Sequence, residues 1–250
     1  MKCKRRIRTG IVGGCILLAS VLASCGTSRK SAALQDGKRH FTEQKVLSYE
    51  QQRKFDYFFH EAVRLKEIGE LDAAFEMYSH CLDIYPQSAV TLYELAKFYM
   101  YLGQAQKGEQ ALVDAVAYEP DNYWYKETLA SYYQNKGQNE KAIGVVEDMV
   151  SQFPSRLEPL MVLVDLYSRT RNYEKVIHTL DRLEQLDGKS EQISMEKFRM
   201  YLAMDNREQA FTEIEKLAEE YPYDMRYLTI LGDVYLDNGK ADEAYATYQR

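Results

Sequence analysis

A tyrosine returns every 34 residues in this chain, at Tyr99, Tyr133, Tyr167, Tyr201 and Tyr235, with Leu65 at the preceding step. A second ladder has the same period: Pro86, Pro120, Pro154 and Pro222, with Gly188 where another proline would fall. Gly69, Gly103, Gly137 and Gly239 make a third. Three ladders sharing one period do not arise from composition. They mean one helix-turn-helix unit copied about six times. A chain of this kind builds no central core, because each unit buries its apolar face only against its neighbours. The expected fold is all-α: a right-handed α-solenoid of about six 34-residue units starting near residues 55, 89, 123, 157, 191 and 225.

Local chemistry supports the same register. Gly69, Gly103, Gly137 and Gly239 stand where the first helix of a unit ends, a place that favours left-handed backbone. Units four and five have Arg171-Asn172 and Asp205-Asn206 there, and Asn and Asp also tolerate that conformation. Position 18, in the first turn of the second helix, is Asp72, Gln106, Glu140, Glu174, Glu208 and Asp242, five acids that suit the positive end of a helix dipole. The prolines close each second helix. Helical order is expected from Ser48, since Ser48 and Gln51 have the spacing of a capping box; the array then spans 48–250.

In this register the chain resembles the tetratricopeptide repeat family. That family keeps small residues at position 8 of the first helix and position 20 of the second. Position 8 here is Ala62, Ala96, Ala130, Val164, Phe198 and Gly232; position 20 is Ala74, Gly108, Ala142, Val176, Ala210 and Ala244. The two positions meet where the helices cross, and a larger side chain there pushes the axes apart. Position 24 supplies bulk: Tyr78, Leu112, Val146, Leu180, Ile214 and Tyr248. The tyrosine ladder, at position 11, reads as packing bulk for the same interface. Units four and five depart most from the pattern, which predicts altered geometry or compensated packing between them.

The resemblance also implies a concave groove lined by positions 2, 5, 6, 9, 12 and 13 of each first helix. The partner-binding candidates are Phe59 in unit one, Tyr93, Lys97, Met100 and Tyr101 in unit two, and Trp124 and Glu127 in unit three. Met161, Arg169, Met195 and Arg199 continue the series in units four and five. His60, Ser131, Asn135 and Asp165 share these positions. Aromatic, Met and Arg side chains are enriched at interface cores. Members that clamp acidic chaperone tails carry Lys and Asn at positions 5 and 9 of one unit. Here those pairs are Phe59/Val63, Tyr93/Lys97 and Glu127/Ser131, so that clamp is absent.

Ahead of the array, residues 1–24 read as a secretory signal: a basic start from Lys2 to Arg8, a twelve-residue apolar run from Ile11 to Leu22, then Ala23 and Ser24. That run is too short for a membrane span, which needs roughly 20 residues. Leu22-Ala23-Ser24-Cys25 resembles the lipobox of bacterial lipoproteins, which implies cleavage before Cys25 and lipidation of its thiol; the competing reading is an ordinary signal peptide with a chance cysteine. Gly26, where the family's inner-membrane retention signal is an aspartate, implies the outer membrane, and the lack of an acidic cluster after Cys25 favours its periplasmic face. Residues 25–47 read as a flexible tether, too poor in apolar groups to offset ordering entropy.

Charge and motif content narrow the function. Of 32 Lys and Arg, five lie in the leader, leaving 27 against 38 Asp and Glu. An acidic body argues against nucleic acid. Beyond the leader only Cys25 and Cys81 remain, so no internal disulfide is expected, and Cys81 reads as a buried small hydrophobe. Four histidines occur without metal-ligand spacing, and no nucleophile elbow or phosphate loop is present. The expectation is a non-enzymatic scaffold without cofactor or metal, anchored to the envelope membrane by lipid and binding a protein or peptide. The alternatives are a structural spacer and a recruiting arm of a longer protein. The second helix of unit six stops at Arg250, short of its closing position, which leads us to expect a longer chain or a covering partner.

Overall fold

The computed structural model describes residues 46–250; Cys25, the leader and the tether as far as residue 45 lie outside the described residues. Described residues form twelve helices and no strand. They are α1 (Tyr49–Glu67), α2 (Leu71–Ile84), α3 (Ala89–Tyr101), α4 (Ala105–Tyr118), α5 (Tyr123–Asn135) and α6 (Asn139–Gln152), followed by α7 (Glu158–Arg169), α8 (Tyr173–Asp187), α9 (Glu191–Ala203), α10 (Arg207–Glu220), α11 (Met225–Asp237) and α12 (Ala241–Tyr248). The helices in substantial contact are neighbours in sequence, as a solenoid requires.

The helix ends follow from the residues that stand there. Ser48 and Gln51 form a complete capping box at α1. Ser88, Asn122, Ser190 and Asp224 cap α3, α5, α9 and α11, each accepting from a first-turn amide. At the other end of each first helix, an amide five residues on bonds back to the position-11 carbonyl: Gln104 to Tyr99 at 2.8 Å, Gln138 to Tyr133 at 2.9 Å, Asn172 to Tyr167 at 2.8 Å. That closure needs one left-handed residue. Gly137 takes it at φ 68°, but in units four and five Arg171 and Asp205 do so at φ 56° and 54°. Asn172 and Asn206 lie one residue later and serve instead as caps of α8 and α10. In unit four the left-handed residue is therefore Arg171, and not the more tolerant Asn172.

Packing obeys the small-residue rule. Ala62, Ala74, Ala96 and Ala142 are wholly buried. A Cβ on Gly108 would lie 2.9 Å from Met100 Cγ and 3.2 Å from the Ala96 carbonyl oxygen, so α3 and α4 approach closely because the residue is glycine. Position 24 is buried from Tyr78 to Ile214, while Tyr248 stays 38% exposed. The buried apolar residues fall into three blocks, although Ile193 and Met200 of α9 pack against the first. One block runs from Ala89 to Leu183, another from Phe198 to Leu231, and a smaller one joins α1, α2 and α3. The break between the two larger blocks falls between units four and five, where the repeat pattern is most altered. Lys197 is buried there, bonded to Asp181 at 2.6 Å and Glu184 at 2.7 Å of α8.

Candidate binding groove

A cavity of about 820 Å³ lies on the first-helix side of units four to six. Met161 and Val164 of α7, Ile193 and Met195 of α9, and Ile230 of α11 give it apolar walls, with Leu180 and Leu183 of α8 behind them. Arg199 and Arg226 stand at its rim. Arg199 is bonded to Glu196 at 3.1 Å. Arg226 is held by Asp224 at 2.6 Å and by Glu191 at 3.1 Å. The Tyr227 hydroxyl also donates to Glu191. Burial, with the Glu191 carboxylate accepting its proton, pushes the Tyr227 phenol up to about 12, so it remains a neutral donor near neutral pH. The rim charges are thus paired among themselves, and what the cavity offers a ligand is apolar surface, much of it methionine. Met161 is 62% exposed. Thioether side chains repack at little cost, which suits a surface meeting a flexible ligand.

The sequence candidates divide by environment. Met161, Met195 and Arg199 meet at this cavity. Arg169 pairs with Asp165 at 2.8 Å on the exposed side of α7, outside the cavity lining. Tyr101 and Trp124 are open to solvent, at 79% and 62% exposure, and Glu127 is also exposed. The other four are engaged by their neighbours. Phe59 stacks on Phe55 with centroids 5.9 Å apart and meets Tyr78 edge-on. Met100 covers Gly108. Tyr93 stacks on Tyr125 of the next unit at 4.7 Å, its hydroxyl 3.2 Å from Thr128 Oγ1, and Lys97 sits 4.5 Å over its ring. Lys97 is in turn bonded to Glu94, which also binds Lys66 of the preceding unit at 2.9 Å. In unit two, side chains at groove positions therefore act as mortar between units.

Sequence reasoning left out Glu191, Ile193, Arg226, Tyr227 and Ile230 of the lining. Arg226 and Ile230 occupy positions 2 and 6 of unit six, so carrying the same rule one unit further finds them. Ile193 and Tyr227 are at position 3, which Thr91 and Tyr125 bury in other units, and no local signal separates them.

A second cavity of about 530 Å³ lies between α6, α7 and α8. The Tyr167 hydroxyl donates to Glu147 at 2.5 Å and Lys175 bonds the same carboxylate at 2.8 Å, so this ladder tyrosine joins two units through its hydroxyl as well as its ring. Among the described residues no group of three His, Cys, Asp or Glu is placed to hold a metal ion. Among them also, no helix is long and apolar enough to cross a membrane.

The helix pairs, their small-residue crossings and the groove-side cavity define a tetratricopeptide-repeat α-solenoid. The family model for the tetratricopeptide repeat matches residues 67–130. Among solved structures, a tetratricopeptide repeat protein from Parabacteroides merdae is similar over 78% of this chain and 77% of its own, with 20% identity and a TM-score of 0.52. The Naa15/Naa10 complex bound to HypK-THB holds a chain similar over 80% of this one but only 31% of its own, at 17% identity and a TM-score of 0.62. Both likenesses concern the fold. The human protein O-mannosyl-transferase TMTC1 is 24% identical over 192 residues, which are 74% of this chain and 21% of that protein. This chain thus spans about a fifth of the length of that curated relative.

Proposed function

We propose that this chain is a lipid-anchored adaptor of the bacterial cell envelope that seats a protein or peptide segment in the cavity of units four to six. Its place is the outer membrane, facing the periplasm, within an assembly or secretion machine. The observation that carries the binding half is the cavity itself: about 820 Å³ with apolar walls and self-paired rim charges. Such a surface gains most from burying apolar side chains of a ligand, at ~25 cal/mol per Å². The anchoring half rests on the lipobox-like Leu22-Ala23-Ser24-Cys25 at the end of a basic-then-apolar leader.

Two experiments test the halves separately. A photo-reactive residue at Met195 should capture a partner in the envelope, and that capture should fail when Met161 is changed to Glu. Metabolic labelling with a palmitate analogue should tag the wild type and leave Cys25→Ala untagged; equal labelling of the two would remove the anchor from the account. A second reading has one observation in its favour. The similar chains of Naa15/Naa10 and of TMTC1 are far longer than the stretch they share with this one. On that reading the array is a spacer or recruiting arm within a larger protein whose activity lies elsewhere.

A further inference from the structure

α1 differs from later first helices in what covers its position-3 face. That position is Thr91, Tyr125 and Tyr227 in units two, three and six, exposed by 0%, 7% and 2%. Tyr125 meets Tyr93, and Tyr227 meets Glu191, of the unit before. In α1 the same position is Tyr57, 66% exposed. Tyr57 belongs to a row, Tyr49, Arg53, Tyr57, His60 and Arg64, whose steps of three and four place it on one side of the helix. Every member is exposed. The row is ~22 Å long at 1.5 Å per residue.

Its chemistry is unlike that of the acidic body. It holds two tyrosines and three basic side chains and no acid. Arg53 lies 5.9 Å from the Tyr49 ring centroid. The nearest carboxylates are Glu50, paired with Lys54 at 2.8 Å, Glu61, paired with Arg64 of the row itself, and Asp56, which accepts from the Gln52 amide, so among the described residues Arg53 is the row's unpaired guanidinium. Val46, just ahead of the helix, is 92% exposed. Tyrosine with arginine is the combination that settles at a membrane interface, ring against the acyl boundary and polar tip among headgroups.

Position strengthens the case. Tyr49 follows Cys25 by 24 residues. Twenty-four residues reach at most about 85 Å even when fully extended, so a chain anchored at Cys25 keeps this row within that distance of the bilayer. We propose that the Tyr49–Arg64 row of α1 lies on the lipid headgroups and is the surface by which the array stands on the membrane. This rests on the lipid-anchor reading above.

The test uses the full chain carrying Tyr57→Trp in a Trp124→Phe background, purified from membranes and reconstituted in phosphatidylethanolamine/phosphatidylglycerol vesicles. With brominated acyl chains, emission of the new indole should shift to the blue and fall roughly two-fold, as for a ring at the interface. Adding Arg53→Glu and Tyr49→Ser should restore it without loss of helix by circular dichroism. The intact mass reports separately whether Cys25 bears lipid. An unquenched indole on a lipidated chain overturns the proposal. Quenching of an unlipidated chain supports the row and removes the anchor; no lipid and no quenching overturn both. An indole shielded equally in vesicles without bromine and in detergent, by a co-purifying protein, also overturns it.

Discussion

Lys197 of α9 reaches back to α8, its ammonium 2.7 Å from Glu184 and 2.6 Å from Asp181, at a position where four other units hold Leu95, Leu129, Leu163 and Leu231. The exchange of leucine for a buried lysine held by two partly exposed acids falls between the two large blocks of buried apolar residues. The cavity straddles the same junction, with Leu180 and Leu183 on one side and Ile193 and Met195 on the other. A solenoid's stability is a sum of unit and nearest-neighbour terms. A polar seam lowers one neighbour term, because desolvating charges offsets much of their attraction.

Giving position 197 the leucine that four other units hold there, with the two partly exposed acids free to turn to solvent, should therefore strengthen the array. Lys197→Leu is expected to be neutral or stabilising by about 1 kcal/mol and to sharpen urea unfolding as the blocks merge. Lys197→Ala leaves the same two acids, which are partly exposed and can turn to water, but opens a void where the lysine stem packed, and should cost about 1–3 kcal/mol. For the wild type, burial opposes the lysine charge, but hydrogen bonds from Asp181 and Glu184 outweigh it and raise its pKa above the ordinary value. The triad's contribution is then full below the ordinary lysine pKa of 10.5 and is lost as pH rises through the folded value. Urea midpoints measured from neutral to alkaline pH check both the order of the variants and the sign.

Glu94 gives the opposite pH dependence. Burial disfavours its charge, yet the Lys97 and Lys66 ammonium groups prevail and hold its pKa below the ordinary 4.5. Stability from this bridge between units one and two is present above the ordinary pKa and lost as pH falls through the lower, folded value. Glu94→Gln should cost about 1 kcal/mol at neutral pH. It should also flatten the fall in thermal midpoint below pH 4.5, which a series of melts in acid would show.

Arg171 and Gly137 make a matched pair. Both take the left-handed turn, at φ 56° and 68°. Gly137→Ala adds a Cβ with nothing within 4 Å, so its expected cost of about 1 kcal/mol is backbone strain alone. Arg171→Gly relieves that strain, offset in part by the freer unfolded chain, for a net gain of about 0.5 kcal/mol. Denaturation of the two variants side by side tests the assignment, and a gain from Asn172→Gly larger than from Arg171→Gly would contradict it.

The parts of this fold legible in sequence are those with a periodic cause. Ala62, Ala74, Gly108 and Ala142 must be small in any register that brings the helices together, and they are buried as that register requires. The cavity was legible only in part. Tyr93 and Met161 both sit at position 5 of a first helix, yet one stacks on Tyr125 and the other opens to solvent. What separates them is the neighbouring unit: Tyr125 offers a ring to stack on, whereas unit five has Ile193 at that place. Such pairwise context between units carries no period, so repeat arithmetic does not register it.

On the adaptor reading proposed above, the Met161–Met195 cavity, and not the aromatic residues of unit two, receives the partner. Site-specific photo-crosslinking in intact cells tests it, with the reactive residue placed in turn at Met161, Met195, Tyr93 and Met100. The account predicts one shared adduct from Met161 and Met195, removed by Ile230→Glu, and none from Tyr93 or Met100. An adduct confined to Tyr93 and Met100, or none at Met161 and Met195, would contradict it.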